Sequence, residues 1–302
     1  MIEVKYKNED ITDEVSINTC YHDMYAEGQA DTLTVIFNDT EHLWDIWQPK
    51  TDDEIAVEYG AIKTGKMFIR RMTAANGLFR IIATSIPASA LDRKSKAWQK
   101  VKFKKIAEEI AKAHDLSFES YGIKDITYSY IQQKNESDFS FLNRLCVLEG
   151  CAFLVYDGTL VLYSYEYMEE KSSEETMYLG EDSDYAYTDK SDELYGKCKI
   201  EQGSFKGSGK EDNGSNKVLV PKIKVTVNSK EEAGRYAKNI LRHANRNARA
   251  GYFYGEIETG YAPGSVTNIE NERAPSWDGK VFIEHIRNDY GKGFAKVFFR
   301  RL

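Results

Sequence analysis

The sequence predicts an α+β protein that is mainly β, and three stretches carry that prediction. Residues 1–88 hold a series of short apolar runs separated by turn residues. Residues 103–163 read as two amphipathic helices followed by two apolar runs around Asp157-Gly158. Strand-like alternation returns near residue 252 and continues to Arg301. The expected divisions are 1–88, 89–165 and 166–302.

In the first stretch, Glu3-Val4-Lys5-Tyr6-Lys7 alternates and Thr32-Leu33-Thr34-Val35-Ile36-Phe37 ends at Asn38-Asp39. Ile55–Tyr59, Lys66–Arg70 and Phe79–Ala83 follow, punctuated by Gly60, Gly65 and Asn76-Gly77. Many short strands with turn residues between them predict a closed barrel or a sandwich. Trp44 and Trp47 fall in a connection, where a plug for the β core is the expected role rather than ligand stacking.

The central stretch opens with Phe103, Ile106, Ala107, Ile110 and Ala113, one apolar face of a helix. Lys102, Lys104 and Lys105 crowd its positive end, which predicts that they face solvent or a partner's acids. After a linker, Ser137 or Asp138 is placed to cap a second helix whose apolar face is Phe139, Leu142, Leu145 and Cys146. Gly150 stands where a left-handed residue ends a helix. Cys151–Tyr156 and Thr159–Tyr163 flank Asp157-Gly158, a strong hairpin pattern that should pack on the second helix.

Beyond Tyr163 the chain turns acidic. Twelve Asp or Glu lie between Asp157 and Glu193 against Lys171 and Lys190, a solvated surface by default. Lys197–Glu201 reads as a strand, 202–217 as a flexible loop rich in Gly and Ser, and Ile223–Val227 as a strand. Ser229-Lys230-Glu231-Glu232 is a capping box. It starts a helix over 229–250 that is stopped by Gly251, with Arg242, His243 and Arg246 complementing the helix dipole.

Composition excludes several classes. A net charge of −7 over 302 residues argues against a general nucleic-acid binder. Cys20, Cys146, Cys151 and Cys198 lack paired spacing, which predicts buried thiols and neither a disulfide framework nor a zinc site. No run approaches the roughly 20 apolar residues of a membrane span, and the first residues form no signal peptide. The five His form no metal-binding pattern. Gly207-Ser208-Gly209-Lys210 lacks the first Gly of a phosphate loop and reads as flexible loop. Glu256 with Glu258, and Glu270 with Glu272, would share a strand face. A glycosidase needs two carboxylates about 5–9.5 Å apart, but these pairs sit in plain charged stretches. No catalytic, cofactor or metal residue is expected.

The run from Tyr130 through Gln132, Glu136-Ser137-Asp138-Phe139 and Leu142 to Glu149-Gly150 and the hairpin resembles the phage late-control protein D family. That family overlaps the N-terminal hub part of the VgrG proteins. Ile11-Thr12-Asp13, Ser95–Gln99 and the final order from Ser229 to Arg301 resemble it too. The resemblance implies two tail-tube-like antiparallel β-barrels with an α/β module between them. It implies a non-enzymatic baseplate hub of a contractile phage tail or tail-like particle, joining tube to spike. Implied partners are two further copies in a homotrimer, the tail tube protein, a separate spike protein and other baseplate proteins. Nucleic acid would enter only as passing cargo, and the protein would be made in a bacterial cytoplasm. A module that degrades cell envelope or binds glycan is the alternative. In a channel-forming hub, the acids expected to face the lumen are Glu256 and Glu258.

Overall fold

The computed structural model describes residues 2–172, 175–223, 225–257, 260 and 262–302. Its first β region contains β1 (Ile2–Tyr6), β2 (Glu9–Asp10), β3 (Ser16–Tyr25) and β4 (Thr32–Asn38), then the short helix α1 (Leu43–Trp47). β5 (Glu54–Tyr59), β6 (Ile62–Lys63), β7 (Met67–Ala75) and β8 (Leu78–Thr84) complete it. β3, β4, β8 and β7 pair in that order and turn Leu33, Val35, Phe37, Met67, Ile69 and Ile81 into one core. Trp44 is buried there, parallel to Phe79 with ring centroids 5.3 Å apart, so it does plug the β core.

The central module holds β9 (Arg93–Lys102), α2 (Phe103–Ala113), β10 (Ser117–Tyr121) and β11 (Thr127–Ser137). α3 (Asp138–Glu149), β12 (Cys151–Tyr156), β13 (Thr159–Ser164) and the short α4 (Tyr165–Glu170) follow. The linker between α2 and α3 is therefore largely strand. β11 pairs antiparallel with β9, and β10 runs parallel to β13 at the edge of the hairpin. The hairpin has the expected register, Tyr156 opposite Thr159, with φ of 44° at Asp157 and 71° at Gly158. It packs on α3 through Phe139 and Phe153, whose ring centroids lie 5.6 Å apart. The crowding at the start of α2 is answered in part from inside the chain rather than by a partner, with the Lys104 ammonium left without an ion pair among the described residues. Asp125 accepts the Lys104 amide at 3.0 Å and pairs with Lys102 at 3.5 Å.

The rest comprises β14 (Thr176–Leu179), β15 (Tyr185–Asp189), β16 (Lys197–Gln202), β17 (Phe205–Lys210) and β18 (Val218–Leu219). α5 (Lys230–Asn245), β19 (Arg249–Glu256), β20 (Val266–Asn271), β21 (Gly279–Asp289) and β22 (Phe294–Arg301) end the chain. Sequence reading differs from structure at four points here. The expected flexible loop 202–217 contains β17, which pairs with β16 in a hairpin. Cβ atoms at Gly207 and Gly209 would come within 2.2 and 2.6 Å of the α5 backbone, so glycine permits strand and helix to touch. Ile223, Val225 and Val227 pack into a core but form no strand, and Lys224 lies outside the described residues. The helix ends at Asn245, whose side chain holds the Tyr195 backbone and Glu211, while Gly251 lies within β19. His243 is half-buried, and its partial burial lowers its pKa and weakens its part as a cation at the helix end.

Core membership also cuts across the expected division at 165/166. Cys198, Ile200, Ala233, Tyr236, Ala237, Ile240 and Leu241 share the central core with α2 and α3. The second β region keeps its own core of Leu179, Phe253, Ile269, Val281, Ile283, Ile286, Val297 and Phe299. β15, β19, β22 and β21 pair in that order, and β21 then pairs with β3. One continuous sheet thus crosses from the second β region into the first.

Candidate functional site: an assembly joint

The Glu136-Ser137-Asp138-Phe139 motif is used up inside the module. Ser137, rather than Asp138, caps α3, accepting the Ser140 amide at 3.3 Å. Asp138 is 5% exposed and accepts from Lys94 Nζ at 2.7 Å and Gln133 Nε2 at 2.9 Å, with His114 Nε2 at 2.9 Å. Burial alone would raise its pKa, but these hydrogen bonds outweigh it and hold the carboxyl well below the usual range. Glu136 pairs with Arg144 at 2.6 Å, while Phe139 and Leu142 fill the core. Gly150 ends α3 at φ 69°, as expected. Next to it Glu149 pairs with Arg235 at 2.8 Å and tethers α5. The motif therefore positions elements of the chain.

The second charged centre lies where module and β regions meet. Arg300, 3% exposed, donates to Glu284 at 2.6 Å and Glu169 at 2.7 Å. Arg242 also pairs with Glu169, and Arg246 pairs with Glu27 and donates to the Tyr165 hydroxyl. Tyr163 donates to the Ala26 carbonyl at 2.6 Å. Three acids and three arginines from β21, β22, α4, α5 and the β3–β4 connection so fix the three parts together. Nearby, Asp23 on β3 accepts two bonds from Arg287 on β21, at 2.8 and 2.9 Å, and lies 2.8 Å from His285. No local sequence pattern marks these residues, because the partners are far apart in the chain.

The sheet face turned away from the cores presents Tyr252, Tyr254 and Glu256 on β19, Phe294, Lys296 and Phe298 on β22, and His285 and Arg287 on β21. Lys296 sits 3.6 Å from the Tyr252 ring centroid. Glu256 is exposed at the end of β19, in register with Phe294. Glu258 lies outside the described residues. Glu270 is exposed on β20, and Glu272 accepts from the Tyr178 hydroxyl. Among the described residues no group of three His, Cys, Asp or Glu could hold a metal ion, and no helix is long and apolar enough to cross a membrane. All four cysteines are buried, and burial raises their pKa values.

A mainly β chain whose two β cores are spanned by one sheet, and whose parts are tied together by ion pairs, has the build of an assembly protein. The model of the phage tail baseplate hub family (GPD) matches residues 81–292, and the chain belongs to that family. Its role is that of a structural baseplate hub protein. The fold is similar to that of the 43 kDa tail protein of prophage MuSo2 from Shewanella oneidensis, at TM-score 0.76 and 11% identity, covering 99% of this chain and 97% of that one. A tail protein from Neisseria meningitidis MC58 is similar at TM-score 0.74 and 11% identity over 99% and 96%. A type VI secretion component from E. coli, described as similar to the T4 tail proteins gp27 and gp5, matches at TM-score 0.60 and 13% identity over 98% and 76%. No curated protein matches the sequence.

Proposed function

We propose that three copies of this chain form a ring joining the tail tube to the spike, without catalysis, after synthesis in a bacterial cytoplasm. One observation carries the reading. Each β region contributes four neighbouring strands to the shared sheet: β7, β8, β4 and β3 from the first, and β21, β22, β19 and β15 from the second. The sheet has an open edge at β15, and the Arg70–Ala75 half of β7 pairs only with β8. Open strand edges invite continuation by another chain, and a closed ring removes them. Joining β15 of one copy to β7 of the next would repeat β-unit after β-unit, six in a trimer, to match a hexameric tube. Light scattering on the purified chain, alone and with the spike protein, should give the mass of three copies. A stable monomer with the spike present, or a six-copy ring, would sink this reading.

In such a ring the sheet face bearing Glu256 would line the channel. Like charge there would keep anionic cargo from sticking, although Lys296 and Arg287 share the face. Particles carrying Glu256→Lys should assemble and release cargo more slowly, most of all at low salt. Release at the wild-type rate at every salt concentration would remove Glu256 from this role.

A further inference from the structure

The β9–β11 ribbon stands out on an anionic chain. From Arg93 to Lys105 there are seven basic residues (Arg93, Lys94, Lys96, Lys100, Lys102, Lys104 and Lys105) and no acid. β9 pairs only with β11, so its far edge is open, and nearly every residue along it is exposed. Lys94 and Lys96 reach back to Asp138 and Glu109. Arg93, Lys100, Lys104 and, on β11, Lys134 have no ion-pair partner among the described residues. Lys100 is held at φ 49°, a conformation rarely taken by a residue with a side chain.

The opposite surface exists on the same chain. Around the open edge strand β15 lie Glu181, Asp182, Asp184, Asp192 and Glu193, all exposed and without a side-chain partner among the described residues. Four unpaired bases and five unpaired acids on separate elements suit a head-to-tail contact, in which every copy uses both surfaces once.

We propose that the basic β9–β11 ribbon of one copy receives the acidic segment 181–193 of its neighbour, and that this charge pairing sets the direction of the ring. The inference rests on the ring reading and adds its electrostatic code. Complementary edges speed and orient association, and like charges in the wrong register repel. Nucleic acid is the other polyanion that could meet such a ribbon. It is disfavoured because the unpaired acids then have no partner.

The test is sedimentation of full-length chains at about 0.05 M and 0.5 M salt. Wild-type association should weaken as salt rises. Arg93→Glu, Lys100→Glu and Lys134→Glu together should raise the apparent dissociation constant about tenfold or more at low salt. Asp182→Lys, Asp184→Lys and Glu193→Lys together should do the same. The chain carrying all six changes should associate again, which a merely misfolded variant could not do. A wild-type trimer unaffected by either reversal overturns the inference and leaves the ring standing. So does a ribbon reversal that abolishes DNA binding while the trimer persists. A monomeric wild type overturns both.

Discussion

Two aspartates with nearly equal burial, Asp138 at 5% exposure and Asp31 at 6%, are pushed in opposite directions. Asp138 starts α3 in the central module, among Lys94, Gln133 and His114. Asp31 precedes β4 and takes one hydrogen bond, from the Tyr25 amide at 2.9 Å. It borders a cavity of about 390 Å³ lined by Met24, Ile62, Leu154, Val161 and Ile286. Burial pushes the Asp31 carboxyl up to about 7, and the single amide does not offset it. Asp31 is also the more deeply surrounded of the two, so donors and depth together decide whether a buried acid supports the fold at neutral pH.

The largest effect should come from breaking the donor-rich site. Asp138→Asn leaves buried His114 and the Lys94 ammonium without their anion and should cost about 2–4 kcal/mol at pH 7. A group with a depressed folded pKa stabilises above its unfolded value, near 4, and that contribution is lost as pH falls through the folded value. Wild-type stability should therefore drop below about pH 4, and the variant should lose part of that acid slope. Urea titrations from pH 2 to pH 8 read both. An unchanged acid slope in the variant would assign the low-pH loss to other carboxylates.

Asp31→Asn should behave oppositely. With a folded pKa raised to about 7, Asp31 makes stability fall as pH rises from about 4 to about 7. The amide removes that slope, so the variant should be the more stable chain at pH 8, by on the order of 1–3 kcal/mol. The same titrations decide it. If Asp31→Asn is destabilising at pH 8, the carboxylate has a partner and the contrast with Asp138 collapses.

Local chemistry was legible in the sequence, and long-range pairing was not. The cap at Ser137, the hairpin at Asp157-Gly158 and the box at Ser229–Glu232 depend on neighbours within four residues, and the first two formed. Of the box the Ser229 half formed, with Ser229 accepting the Glu232 amide at 3.1 Å, while Glu232 reaches one residue past the N-cap. In the last, Glu232 takes the Asn228 amide at 2.6 Å. β10 was hidden because its partner, β13, lies about forty residues downstream and runs parallel to it. β17 was hidden because Gly-Ser-Gly reads as loop until a helix is laid against it. The ties joining Asp23 to Arg287 and Glu27 to Arg246 cross most of the chain, so nothing near either partner signals them. The resemblance to protein D placed the whole, while the sheet-to-sheet joint through β3 and β21 needed coordinates.

The smallest effect sharpens the comparison by removing charge from it. Gly158 shares the hairpin turn with Asp157, both at positive φ, and a Cβ at Gly158 would meet nothing within 4 Å. Any cost of substitution there is backbone strain alone, free of burial and of lost donors. Gly158→Val puts a β-branched residue in the left-handed region and should cost about 1–2 kcal/mol. Gly158→Asn, a residue that tolerates that region, should cost only a few tenths of a kcal/mol. Neither should alter the pH profile that separates Asp138 from Asp31. Equal losses for Val and Asn in a urea titration at pH 7 would mean that contacts, not φ, govern the turn. A Val variant as stable as wild type would mean that the primed turn does not form.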